Sequence, residues 1–513
     1  MGNDDLEATW TYHNGTKHSS QSLRTNPHSL DWENQPLPFK IYSALEPVPL
    51  PRSFSPSGVV ALSAIAALAA HPQGECVPDL QTVAQILHFS TGITKRRTSP
   101  GGEIFFRAAA CTGALYHIDL YLVCGDLPGL RAGVYHFGPH DFALRPLRVG
   151  DYRGILVQAS GGAPAVASAP AVIICTGTYW RNAWKYQART YRHCFWDTGT
   201  IVANLLAVAA AQKVPAHVAA GFVDTAVNRL LDLETEREVT LTLVPLGRAP
   251  SMPPVPSPKV TPLALATVPL SKTEIDYPAI RVMHAASSLT DEDGVKAWRG
   301  ALPRVVPPQP AGRLFPLRPQ DNNELPQHTI EEVILRRGST RHFAPTPITL
   351  VQLSTLLDRA TRGIDADFLV PEGPQGTDLY LIVHAVDELP PGAYVWRKEQ
   401  QALELLQEGN FRRAAGSLGL GQELPADASV NVFFLADLRP MLARFGNRGY
   451  RAAQLEASIM GGKLYLAAYA QGLGATGLTF FDDDVTAFFS PHAAGKSVMF
   501  LVALGKPAPR RER

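Results

Sequence analysis

Two stretches of the chain carry the same pattern of apolar and polar positions. YRHCFWDTGTIVANLLAVAAAQKVPAHVAAGFVD (191–224) and YRAAQLEASIMGGKLYLAAYAQGLGATGLTFFDD (450–483) each read as an apolar, Ala-rich helix that ends near Gly or Pro and gives way to a short strand. They align without a gap at an offset of 259, matching Tyr191 with Tyr450, Arg192 with Arg451, Asp197 with Glu456, Phe222 with Phe481 and Asp224 with Asp483. Each half closes on an apolar strand run stopped by Gly, VTLTLVPLG and SVMFLVALG. The run VVALSAIAALAA (59–70) is too short to span a bilayer and predicts a buried helix. Duplication followed by fusion accounts for the pattern, and two like domains then pack as a pseudo-symmetric dimer within one chain.

Of the chain's 43 Pro residues, 15 crowd the stretch 250–327 between the two periodic regions. Pro lacks the amide donor, so such stretches build neither continuous helices nor central strands. The organisation expected is an N-terminal extension (1–39), a first domain (40–249), a Pro-rich linker (250–327) with one helix around 288–299, and a second domain (328–513). A formal net charge of +1 argues against a nucleic-acid binder. The N-terminus has no apolar signal core, and Glu7-Ala8 lack the hydroxyl that a myristoylation motif requires. Five scattered Cys without a CxxC pair fit a reducing, cytoplasmic compartment, and with His117, His193 and His217 they show no ligand-like spacing, so no metal is expected.

Three segments carry candidate chemistry. ILRRGSTRHF places Arg337, Ser339 and Arg341 at alternating positions, which reads as a fork for a phosphate monoester or as a solvated basic loop. FFRAAACTGALYHIDLYLVC (105–124) runs through small residues into a strand; its backbone approaches a ligand closely, or it is only a tight turn. WRNAWKYQARTYRHCFWDTG (180–199) packs three Trp among Arg181, Lys185, Arg189, Arg192 and His193. Helical spacing puts Lys185, Arg189 and His193 on one side, as a surface stripe over tucked aromatics or as the wall of a site.

Taken in order, these motifs resemble a known family. RRGSTRHF is similar to the phosphate-binding opening of nitroreductase-superfamily flavoproteins. STGIT, FRAAACTGALYHIDLYLV, GLRAGVYHFGPHDFALRPLRVGD, WKYQARTYRH and GFVD together resemble the SagB-type dehydrogenases, the azoline oxidases of thiazole- and oxazole-forming peptide pathways. YHNGTKHSSQS resembles the opening of the family's long members. The resemblance implies an α+β fold, two tandem nitroreductase-like domains of mostly antiparallel sheet flanked by helices, with FMN between two like subunits. It places Arg337, Ser339, Arg341 and the C-terminal Arg510 at the phosphate, Arg107 and the turn of Cys111, Thr112 and Gly113 at the ring system, and Thr479-Phe480 near the reactive nitrogen. It matches Lys185-Tyr186 to a pair beside the flavin, with Lys185 as base and Tyr186 relaying or orienting a proton. Asp197 is expected to pair with nearby Arg residues.

Where the family has Pro-Ser-Ala-Gly-Ala-Leu-Tyr-Pro, this chain has Ala110 to His117, ACTGALYH. The first half lacks the Arg fork, and the second lacks a clear small-residue turn. One intact site per chain follows, assembled from a different half-site in each domain. The expected activity is FMN-dependent dehydrogenation of an azoline-type C–H beside a heteroatom, with oxygen reoxidising the flavin. The alternatives are a nicotinamide-fed nitro or quinone reductase, and a non-catalytic flavin-binding or partner-stabilising subunit. The expected partners are a small-molecule or peptide substrate and a pathway protein that delivers it, with no nucleic acid or membrane; the pseudo-dimer leaves the chain monomeric.

Overall fold

The computed structural model describes residues 2–25, 27–68, 74–99, 102–249, 253, 257–303, 309–369 and 376–509. Its first half carries a six-stranded sheet ordered Val48–Pro49, Ala143–Val149, Gly133–Gly138, Ile118–Cys124, Ala171–Thr178 and Glu238–Leu246. The second half repeats it as Leu314–Pro316, Ala402–Glu408, Gly392–Arg397, Thr377–Val383, Val430–Ala436 and Ser497–Gly505, with Gly474–Gly477 added beyond the last strand. Every neighbouring pair is antiparallel. Central strands such as AVIICTGT and VNVFFLA are buried along their whole length, which is why they read as continuous apolar runs.

The helices Thr190–Ala211 and Arg448–Ala470 pack on each other at the centre. Gly199 lies against Ser458 and Gly462 against Ala203; a Cβ on Gly462 would come within 2.6 Å of the Ala203 Cβ. In both contacts a residue meets its own partner at the offset of 259, as at a two-fold axis. Ion pairs cross the axis in matched sets. Arg189 and Arg192 hold Asp482 at 3.0 and 2.6 Å, while their counterparts Arg448 and Arg451 hold Asp224 at 2.5 and 2.7 Å, so the structural equivalent of Asp224 is Asp482, one residue before the Asp483 that the ungapped alignment matched to it. Such buried pairs fix the mutual register of the halves more than they add net stability.

The Pro-rich stretch differs from the expected linker. Besides the helix expected near 288–299, which is Glu292–Trp298, it forms Pro278–Ala286. The carbonyl of His284 in that helix accepts from Arg451 at 2.8 Å, as the carbonyl of His13 in the helix Glu7–Gly15 accepts from Arg192 at 2.6 Å. Leu314–Pro316 pairs with the second sheet as Val48–Pro49 pairs with the first. A second copy of the N-terminal extension therefore lies inside 250–327, where Pro obscures its short elements. The run 59–70 gives only the helix Ala61–Ala66, and its last two residues fall outside the described ones. Tyr179–Ala211 is long and apolar enough to cross a membrane by composition, yet 89% of its apolar window is buried within the protein.

Candidate functional site

The turn between Arg107 and Ile118 is held in an unusual shape. Gly113, Ala114 and Tyr116 all have positive φ, at 64°, 55° and 50°. Ala and Tyr adopt this region only under constraint, and one face of the helix Thr190–Ala211 supplies it. Asn204 donates to the carbonyls of Phe89 and Ala108 at 2.9 and 3.2 Å, and Thr200 to that of Ala110 at 2.8 Å. The Asp197 carboxylate accepts from the Thr112 amide (3.0 Å), the Thr112 hydroxyl (2.8 Å) and the Cys111 thiol (3.0 Å). Positions 197, 200 and 204 fall on one helical face.

Asp197 contacts the turn, and none of its ion pairs among the described residues is with Arg, contrary to the sequence expectation. Burial raises its carboxyl to about 6, against which the Cys111 and Thr112 hydrogen bonds act only in part. Burial, then the Asp197 charge, raises the Cys111 thiol. His117 Nδ1 lies 3.3 Å from Asp197, and burial lowers its imidazole to about 3, keeping it neutral. Cys111, His117 and Asp197 thus bring three metal-type donors within 4.8 Å of one another, a grouping that sequence spacing did not suggest.

The aromatic-basic segment is not one surface stripe. The helix Tyr179–Tyr186 ends at Gln187 (φ 49°, ψ −140°), and a new helix starts at Thr190. Arg181, Arg189, Arg192 and His193 are all buried; Arg181 binds Asp119 at 2.6 Å, and His193 contacts Asn182 at 2.8 Å. Lys185 is only half-buried, with its amine 5.4 Å from the Tyr186 ring centroid. Tyr186 sits over the turn, where a Cβ on Gly113 would come within 2.9 Å of its hydroxyl. Burial raises the Tyr186 phenol, and the Asp197 and Cys111 charges raise it further.

The second half meets this turn directly. Arg337 donates to the carbonyls of Ala108 and Arg107 at 2.8 and 3.0 Å and lies 6.0 Å from the Tyr465 ring centroid. The Tyr465 hydroxyl reaches Ser339 Oγ at 3.5 Å and accepts from the Gly477 amide. Two residues on, Thr479 leads into Phe480, which is fully buried against Trp196 (centroids 5.6 Å). Trp196 stacks on His193 at 4.8 Å, and His193 meets Tyr186 edge-on at 4.7 Å. Contacts, with the chain itself running from Gly477 to Thr479, therefore close a ring from Arg337 through Tyr465, Thr479-Phe480, Trp196, His193, Tyr186 and the turn back to Arg337. Arg107 is buried, over Tyr116 at 4.9 Å, with burial lowering its guanidinium to about 10. Arg341 is exposed, and Arg510 lies outside the described residues.

A family model for the nitroreductase family matches this chain twice, over residues 80–248 and 334–506. The chain belongs to the nitroreductase family. A nitroreductase-like crystal structure from Anabaena variabilis superimposes with a TM-score of 0.77 at 26% identity, covering 98% of this chain and 99% of that one. A nitroreductase-like protein of Methanocaldococcus jannaschii is 24% identical over 169 residues, 33% of this chain and 80% of that protein. The microcin B17-processing protein of Escherichia coli is 29% identical over 128 residues, 24% of this chain and 47% of that protein. As a nitroreductase-family member, the chain is an oxidoreductase.

The pseudo-equivalent place in this nitroreductase pair is built differently. Glu456, the counterpart of Asp197, accepts from the Gly376 amide and the Thr377 hydroxyl at 3.2 and 2.9 Å, while residues 370–375 fall outside the described ones. Arg444 and Phe445 replace Lys185 and Tyr186. Arg444 donates to the carbonyls of Ala297 and Arg299. The Trp298 indole donates to the Phe445 carbonyl at 3.0 Å, stacks on the Phe445 ring at 5.2 Å and presses on Gly221. Lys463, the counterpart of Asn204, is buried with its amine on the Gly363 carbonyl at 2.7 Å, and burial lowers it to about 8. The chain's own Trp298 thus fills space at the place matching the site.

Proposed function

We propose that the chain is an FMN-dependent dehydrogenase, with one flavin per chain, acting on an azoline-type C–H beside a heteroatom in a peptide or small heterocycle. The observation that supports this reading is the closed ring, which brings the Arg337-Ser339 end of one helix against the Arg107–Gly113 turn and the Lys185-Tyr186 pair. Polar atoms on that ring, among them Thr479 Oγ1, Arg107 Nε and His193 Nε2, are buried without a hydrogen-bond partner among the described residues. Unpaired buried polar groups are costly, so they fit a group that brings its own donors and acceptors. Aromatic walls and a phosphate-compatible Arg-Ser pair fit a flat heteroaromatic phosphate monoester. Arg337, Ser339 and Arg341 would hold the phosphate; Arg107, Cys111, Thr112, Gly113, Thr479 and Phe480 would hold the ring system. The name of the Escherichia coli relative, a microcin B17-processing protein, agrees with a peptide substrate handed over by a pathway partner.

When bound, FMN supplies a two-electron acceptor for the hydride equivalent. Lys185 takes the proton from the substrate carbon onto its amine. Tyr186, kept protonated by its surroundings, donates a hydrogen bond that orients the substrate heteroatom. The chain works as a monomer, because the two halves already make the interface the site needs, and its five free Cys agree with the cytoplasm. The test is Lys185→Ala. Azoline dehydrogenation should fall by about 100-fold or more, while bound flavin and reduction of a simple nitroarene stay at parental levels. Equal loss of both activities, or dehydrogenation that survives the substitution, overturns the reading.

A further inference from the structure

Counting along the two halves exposes an insertion. The helices Leu80–Thr91 and Leu350–Thr361 match at an offset of 270, whereas the strands Ile118–Cys124 and Thr377–Val383 match at 259. The first half is therefore 11 residues longer between helix and strand. In the first half this stretch forms a two-stranded ribbon, Ile93–Ser99 with Gly102–Arg107, that joins neither large sheet. Two-stranded ribbons are marginal alone and present unpaired backbone groups on both edges. This one runs straight into the site, since it ends at Arg107, whose carbonyl accepts from Arg337.

The two faces of the ribbon differ. Register pairs Arg96 with Phe105, and Phe105 meets Phe39 at 5.2 Å with Arg96 over its ring, so this face packs onto the protein. The other face pairs Lys95 with Phe106 and Arg97 with Ile104. Lys95, Arg96, Arg97 and Ile104 are exposed, with Ile104 at 41%, and Phe106 is half-buried. A run of exposed cations on one strand, with Ile104 across from it on the other, complements an extended segment that carries acidic side chains.

We propose that this ribbon is a docking strand for an extended, acidic segment of the peptide substrate, which adds to its edge and leads the reacting residue to the Lys185-Tyr186 pair. The proposal rests on the peptide reading under Proposed function. The experiment measures binding of two labelled decapeptides, alternating Glu-Val and alternating Lys-Val, to the full flavin-loaded chain, to its Lys95→Glu/Arg97→Glu variant and to Arg413→Glu, an exposed cation of the second half. The parent should bind the acidic peptide in preference, more weakly as salt rises, and the double reversal should weaken it about tenfold. Arg413→Glu, outside the ribbon, should leave it unchanged, and equal weakening by Arg413→Glu overturns the proposal.

Equal binding of both peptides by the parent, or acidic-peptide affinity unchanged in the double variant, overturns the proposal. So does binding to phosphatidylserine vesicles that vanishes on double reversal while peptide affinity stays the same, which would assign the ribbon to a lipid surface. Flavin content and nitroarene reduction are read on the same preparations. If both are missing in the parent, the dehydrogenase reading fails on its own; if both are normal and reversal leaves binding untouched, only the docking strand fails.

Discussion

At the residue scale, Asp197 does the most to shape the site. It holds the Cys111-Thr112 backbone, adjoins His117 and adds to the rise of the Tyr186 phenol. Its carboxyl rises from 3.8 to about 6 on folding, so its protonated form is favoured in the folded chain. A raised acid contributes stability that is full below about 4 and is lost as pH climbs through about 6. Asp197→Asn cannot titrate. Its melting temperature relative to the parent should therefore improve steadily from about pH 4 to about pH 6 and then level off; thermal melts across that range check it. Nothing in the sequence pointed to this role. Cys111, His117 and Asp197 are far apart in the chain, and the nearby Arg residues looked like the natural partners of the acid until the fold paired them with Asp119 and Asp482.

At the element scale, the break between the helices Tyr179–Tyr186 and Thr190–Ala211 sets where Lys185 points. Gln187 sits at φ 49°, ψ −140°, and its counterpart Gly446 at φ 63°, ψ −159°. The second half meets the same bend with the residue that tolerates it, while the first keeps a side chain there beside the proposed base. Strain at such a position costs roughly 1–3 kcal/mol. Gln187→Gly should raise stability by about 1 kcal/mol in urea melts and lower turnover by loosening the Lys185-Tyr186 pair. The bend is also why the helical spacing of Lys185, Arg189 and His193 misled: it assumed one continuous helix. The long helices themselves, the closing strands and their offset were legible, because each is a strongly periodic run. The elements hidden in 250–327 were not, since Pro-rich sequence leaves only short runs whose period cannot be read.

At the scale of the whole molecule, duplication freed the halves to diverge. The gap-free offset between 191–224 and 450–483 made the pseudo-dimer readable, and the matched contacts Gly199–Ser458 and Ala203–Gly462 lie on its axis. The absence of the Arg fork from one half pointed to a single site. What the chain places at the other position was beyond sequence reach: Trp298 comes from a helix in the Pro-rich stretch and lands on Phe445 and Gly221, residues brought to it only by folding.

The central claim is one flavin site per chain, shared between the halves. The most direct measurement is the FMN released on denaturation per mole of purified chain, for the parent and for Arg337→Ala. The account predicts about one FMN per parent chain and a large loss in the variant, in which one side of the phosphate fork is gone. Two FMN per chain, or none even after incubation with FMN, would contradict it.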